Sequence, residues 1–191
     1  MNKTVKIVIA VVAVVAVIAV VVAVAFATKN TKTASKLNVS NAEDLTTLVN
    51  KIYEGVTIQM PNVATQEIDI TDADMVQYIT GLENGNDLEY AVVSEPMMSS
   101  QAYSLVLVKV KNGVNATDVA KTMKDNIDTR KWICVSAEKV YATASGDVVY
   151  LVMSNADTAK AVYDSFKTLA GSVGQEYERS EEEPELPPEM F

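Results

Sequence analysis

The sequence predicts an α+β domain: an antiparallel sheet of about four to five strands with helices packed on one face, preceded by an N-terminal transmembrane helix. Three observations lead there. Residues 7–27 are 21 uncharged, mostly Val and Ala positions, about 31 Å of helix against a hydrocarbon core of roughly 30 Å. From Leu88 onward the periodicity runs strand, strand, helix, strand, strand, helix, an order that favours an antiparallel sheet. Between the apolar run and a Glu-rich tail lie about 135 residues, enough for one domain with a single core.

The elements follow in order. Residues 1–6 form a short leader carrying Lys3 and Lys6, expected in the cytoplasm, and 7–27 form the span or signal anchor. Ala25-Phe26-Ala27 before Thr28 also satisfies the small-x-small cleavage rule, so two outcomes stay open. One is a retained anchor, which the length favours, and the other is a secreted domain cut at Ala27. Lysines on both sides, including Lys29, Lys32 and Lys36, leave the charge rule balanced. The short basic leader is the signal-anchor arrangement and, with the acidic body behind it, favours a body outside; the alternative is a cytoplasmic domain hanging from an N-out helix. The single cysteine, Cys134, lies far beyond the run, so no N-terminal lipid-bearing cysteine follows it.

Residues 28–39 read as a polar linker, and 40–173 as one globular domain. Ser40-Asn41-Ala42-Glu43 has capping-box form, and Leu45, Leu48, Val49 and Ile52 share a helical face that ends at a left-handed Gly55. A short extended stretch spans Glu67 to Ile70. Asp72 then caps a helix carrying Met75, Val76 and Ile79 and stopping near Gly81. Strands are expected over Leu88–Val93, Tyr103–Lys111, Lys139–Thr143 and Val148–Met153. A helix starting at Asn115 or Thr117 buries Val119, Ala120, Met123 and Ile127, and another over 156–170 buries Ala159, Val162, Phe166 and Leu169. Asp118, Ala120, Lys121 and Asp125 match Asp157, Ala159, Lys160 and Asp164 in type and spacing, which suggests a strand-strand-helix duplication. Residues 174–191, with seven Glu and three Pro, are expected to be a disordered acidic tail.

Composition excludes several chemistries. Residues 37–173 hold 10 basic and 18 acidic side chains, which argues against nonspecific binding to nucleic acid. No histidine is present, so Ser-His-Asp and Cys-His catalysis and His-bearing zinc sites are ruled out. Cys134, in the apolar run Trp132-Ile133-Cys134-Val135, reads as a small buried hydrophobe. Glu67, Asp69, Asp72 and Asp74 are dense but lack the spacing and glycine of a calcium loop; capping by Asp72 accounts for them better. Ser99 and Ser100 have no histidine to activate them. No catalytic, cofactor-binding or metal-ligating residue is assigned.

Two segments are candidates for partner binding. Glu95-Pro96-Met97-Met98 joins two strands, and its adjacent methionines either fold back on the core or form an adaptable contact surface. Arg130 and Trp132 are the body's only arginine and the chain's only tryptophan. Core packing of Trp132, with Arg130 snorkelling at the rim, is the default reading; exposed together they would anchor a partner.

The segments SEPMMSSQAYSLVLVKVK, IDTRKWICVSAEKV and SGDVVYLVM, ahead of a final helix, resemble a family of uncharacterised membrane-anchored or lipoprotein-like domains from Gram-positive bacteria. The resemblance covers about 88–171 and implies an extracytoplasmic domain of unknown function, with no catalytic residues to carry over. Unlike the lipoprotein members, this chain has no cysteine after its apolar run. The expectation is a single-pass cell-membrane protein with an extracytoplasmic binding or envelope-associated module. Its partners are the membrane, through the N-terminal helix, and an envelope protein or polymer. The alternative is an envelope-acting enzyme using carboxylates or a metal.

Overall fold

The computed structural model describes residues 35–98 and 101–181. The expected leader, span and most of the linker, Ser99 and Ser100, and residues 182–191 of the expected tail lie outside the described residues.

The elements are α1 (Ala42–Glu54), β1 (Val63–Glu67), α2 (Ala73–Thr80), β2 (Leu88–Pro96), β3 (Ser104–Val110), α3 (Ala116–Asn126), β4 (Lys139–Ser145), β5 (Val148–Ser154), α4 (Ala156–Ala170) and β6 (Tyr177–Ser180). The six strands form one sheet in the order β1-β2-β3-β5-β4-β6, with every neighbouring pair antiparallel. The class is α+β as expected, with two edge strands more than the sequence defined clearly.

The helices cover both faces, which corrects the one-face expectation. On one face Val92, Leu105, Leu107, Tyr150 and Val152 pack with Leu45 and Ile52 of α1 and Val162 and Phe166 of α4. On the other, Val93, Val106, Val108, Leu151 and Met153 pack with Val76 and Ile79 of α2 and Val119 and Met123 of α3. The cause lies in β3 and β5. Every residue from Leu105 to Val108 and from Val148 to Met153 is buried, and because alternate strand residues point to opposite faces, each face needs its own apolar layer. The duplication fails on the same ground. A twofold relating β2–β3 to β4–β5 through the central antiparallel pair would keep both following helices on one face. Instead α3 and α4 cover β4 and β5 from opposite faces.

Helix ends follow local chemistry with one shift. Asn41, one residue beyond Ser40, is the N-cap of α1, its Oδ1 accepting from Asp44 N at 2.8 Å. Asp44, in place of Glu43, reaches back to accept from Ser40 N at 2.7 Å. Gly55 is right-handed (φ −84°), so it is no left-handed stop. Its small size serves helix packing, because a Cβ there would sit 2.3 Å from Ser165 Oγ of α4. Asp72, Gly81 (φ 76°) and Gly171 (φ 69°) end or begin their helices as expected.

Part of the expected disordered tail is a strand. β6 pairs with β4 from Lys139↔Ser180 to Ala142↔Tyr177. The approach is tied down first: Gly174 N donates to Ala144 O at 2.7 Å, and Glu176 accepts from Tyr163 OH at 2.8 Å. Burial and that bond hold the Tyr163 phenol above its ordinary pKa, while Glu176 is held below its own, mainly by Tyr163 and then by Lys167. The Arg179 guanidinium then donates to Lys124 O, Asp125 O and Ile127 O, the unpaired carbonyls at the end of α3.

The sheet has two unlike ends. One carries the β4–β5 turn, where Ser145 Oγ lies 2.9 Å from Ser35 Oγ and Lys36 N donates to Ala170 O at 3.5 Å. Residues 35–39 therefore join the fold at the turn end. The other end carries the β2–β3 connection, the start of β4 and the end of β5.

Candidate functional site

The candidate residues gather at this second end. β2 runs through Glu95 to Pro96, and Met97 N donates to Asn62 O at 3.4 Å before the chain leaves the sheet. Met97 and Met98 are 74% and 71% exposed among the described residues. The fold-back reading for these two side chains is thereby overturned.

The segment between α3 and β4 supplies the neighbouring wall. It is pinned at its base, where Thr129 is buried and Ala137 N donates to Thr129 O at 2.8 Å. Asp128 Oδ1 accepts from Arg130 N at 2.8 Å and shapes the turn. Between these fixed points the chain bulges outward, so Trp132 is half-buried against the core while Ile133 is 71% exposed. Cys134 is exposed with φ 61°, which corrects its expected burial. The run Trp132–Val135 looks like a strand in composition, but it forms bends held by Thr129 and Ala137 and so turns Ile133 and Cys134 outward.

Lys131 joins the two walls. Its side chain is 1% exposed, and its Nζ lies 2.5 Å from Glu95 Oε1 as an ion pair. Lys131 Nζ also donates to Ser104 Oγ at 3.4 Å and sits 5.1 Å from the Tyr78 ring centroid and 5.5 Å from that of Trp132. Burial pulls the Lys131 ammonium below its ordinary pKa, with the charge of Glu95 opposing that shift. Tyr78 OH in turn donates to Lys131 O at 3.4 Å, so α2 is fastened to the same segment. Tyr78 and Met75, three residues apart on α2, are both exposed.

Of the five candidates, Glu95 and Trp132 are thus brought together through Lys131, and Met97 and Met98 follow directly from Glu95. Arg130 is exposed at the margin and makes no ion pair among the described residues. Sequence reasoning missed Lys131, Met75, Tyr78 and Ile133. The available signal was slight: Lys131 stands between the two candidates Arg130 and Trp132, and Met75 and Tyr78 share a helical edge.

What this surface can do is dictated by its composition. Polarizable methionines, two aromatic rings and an isoleucine surround a neutralised charge pair, which suits reversible apolar contact. A nearby groove of about 430 Å³, lined among others by Gln59, Gln101, Tyr103, Ser136 and Asn155, holds no charged side chain. The acidic cluster is spent locally: Asp72 Oδ1 accepts from Met75 N at 3.0 Å, and Asp69 Oδ1 from Thr71 N at 2.9 Å. Among the described residues no group of three or more His, Cys, Asp or Glu is placed to hold a metal ion, and no helix is long and apolar enough to cross a membrane.

No protein-family model matches the chain, and neither a curated protein nor a solved structure is significantly similar to it.

Proposed function

We propose that this chain is a membrane-anchored, extracytoplasmic binding module that docks an envelope protein through the surface formed by Met97, Met98, Trp132 and Ile133, with Met75 and Tyr78 extending it. The observation that carries this reading is the shared exposure of large apolar side chains at one end of a fold that buries its apolar residues on both sheet faces. The 21-residue apolar run supports the anchor, and the basic leader supports the orientation. Residues 35–39 join at the β4–β5 turn, whereas the surface lies one strand length away, roughly 20 Å for seven residues.

The test is a photocrosslinking amino acid placed at Met98 in the full chain in intact membranes, with Lys160 on the outer face of α4 as the control position. The expected result is a discrete protein adduct from position 98, none from 160, and at least a fivefold loss of the adduct when Trp132→Ala is added. Equal labelling from both positions, or no adduct at all, overturns the docking surface.

A further inference from the structure

The strand β1 is the open side of the sheet. It lies last in the strand order and pairs with β2, from Val63↔Pro96 to Glu67↔Val92. The phase of that pairing is fixed at both ends, where Ile68 N donates to Ala91 O at 2.9 Å and Met97 N donates to Asn62 O at 3.4 Å. Hydrogen bonding alternates along an antiparallel pair, so Asn62, Ala64, Gln66 and Ile68 turn their backbone groups toward β2, and Val63, Thr65 and Glu67 turn theirs away. Among the described residues no hydrogen bond reaches those outward N–H and C=O groups.

Edge strands in water are guarded by lysine, proline, bulges or a covering segment. The opposite edge is guarded: β6 carries Glu178 and Arg179, and Arg179 is latched to the end of α3. In contrast β1, VATQE, has no lysine, proline or bulge, and its single charge, Glu67, stands at its far end. Past that end a groove of about 420 Å³ is lined by Glu67, Ile68, Asp69, Ile70, Glu89 and Tyr90. Glu67 and Asp69 make no ion pair among the described residues, and Glu89 has Lys109 at 3.8 Å, a lysine that Asp147 holds more closely at 2.8 Å. Isoleucine and tyrosine walls beside carboxylates suit the aliphatic stem and charged head of a lysine or arginine.

We propose that β1 accepts an extended segment of a partner protein as an added antiparallel strand, hydrogen-bonded to Val63, Thr65 and Glu67, with a lysine or arginine of that segment in the groove of Glu67, Asp69 and Glu89. In strand addition the backbone bonds supply affinity, and the flanking side chains supply specificity. The carboxylates select the charge of the segment and its direction, because an antiparallel strand begins beside Glu67 and its cation belongs near its N-terminal end. A second copy of this chain is the poorer occupant: it carries a net charge of −9, and its own β1 offers no cation to Glu67. The edge does not rest on the docking function of the apolar end.

The probe is the end-blocked peptide KKVTVTV, added to the full chain in nanodiscs of zwitterionic lipid, with amide hydrogen exchange read residue by residue. The expected result is about tenfold slower exchange at Val63, Thr65 and Glu67, with Ala64 and Gln66, already bonded to β2, unchanged. The peptide EEVTVTV and a fully N-methylated KKVTVTV should each bind at least tenfold more weakly. Thr65→Pro removes the central outward N–H and no backbone bond to β2, so it should weaken KKVTVTV at least tenfold, whereas Thr65→Val binds as the parent does. Unchanged exchange at the three outward amides, equal binding of KKVTVTV and EEVTVTV, or parent-like binding by Thr65→Pro overturns the proposal. Protection that appears without peptide and grows with protein concentration also overturns it, because the occupant is then a second copy. A missing Met98 adduct leaves this result untouched, and an unprotected edge leaves the docking function in place.

Discussion

At the scale of single residues, two tyrosines on the α1–α4 face show how a hydroxyl's partner decides its effect. Tyr103 OH donates to Tyr53 OH at 3.0 Å, and Tyr53 OH donates to Ser94 Oγ at 2.7 Å, where Thr65 Oγ1 also donates at 3.0 Å. Burial raises the pKa of Tyr53 and Tyr103, so both stay neutral and the chain of hydroxyls holds. Tyr150 is equally buried, its ring 4.3 Å from that of Phe166, yet its hydroxyl has no partner among the described residues. A buried donor without an acceptor costs about 1–3 kcal/mol, whereas a satisfied one contributes about 1 kcal/mol. Tyr150→Phe is therefore expected to stabilise the full chain by about 1 kcal/mol, and Tyr103→Phe to destabilise it by about the same amount. Urea denaturation checks this through opposite shifts of the midpoint at unchanged slope. A loss of stability in Tyr150→Phe defeats the argument. Nothing in the sequence distinguished these two residues, because the difference depends on which hydroxyl lies within reach of Tyr53 on α1.

Among the elements, β6 is the clearest case of a local pattern overruled by tertiary contacts. Arg179 satisfies three carbonyls that α3 leaves open, and its Nε is 2.8 Å from Glu181 Oε1. Arg179→Ala is expected to cost about 1.5–3 kcal/mol, the range for hydrogen bonds to a charged group. Hydrogen exchange locates the loss: amides of β6 and of the last turn of α3 should exchange at least tenfold faster, while those of β3 and β5 barely change. Uniform acceleration across the sheet defeats the latch. The sequence concealed β6 because Tyr177–Ser180 sits among glutamates and prolines, and a four-residue edge strand carries almost no periodic signal. Caps were legible by contrast: Asp72, Gly81, Asn115 and Gly171 act within one helical turn, where sequence and structure are nearly the same information. The one-face arrangement was a misreading of a visible signal. Leu105–Val108 and Val148–Met153 are apolar at consecutive positions, and that pattern calls for two layers. In the candidate site, Glu95, Met97, Met98 and Trp132 stood out as unusual residues, but Lys131, the side chain that joins them, did not. An isolated lysine gives no sign that it will be buried.

For the whole molecule, the division between closed faces and unlike ends sets what the fold can present. Both sheet faces are sealed by helices, β6 closes one side with the charged residues Glu178 and Arg179, the turn end receives residues 35–39, and the opposite end exposes Met97, Met98, Ile133 and Cys134. Placement of that end outside the cell is the step on which the docking function depends. The chain supplies its own reporter, because Cys134 is the only cysteine and stands exposed beside Ile133. A charged, membrane-impermeant maleimide added to intact cells should modify Cys134, as it does in cells lysed first. Cys134→Ser should abolish the signal in both. Labelling that appears only after lysis places the domain in the cytoplasm and ends the extracytoplasmic reading. Recovery of the labelled protein in the membrane pellet distinguishes a retained anchor from cleavage at Ala27, which would release the same labelled domain into the medium.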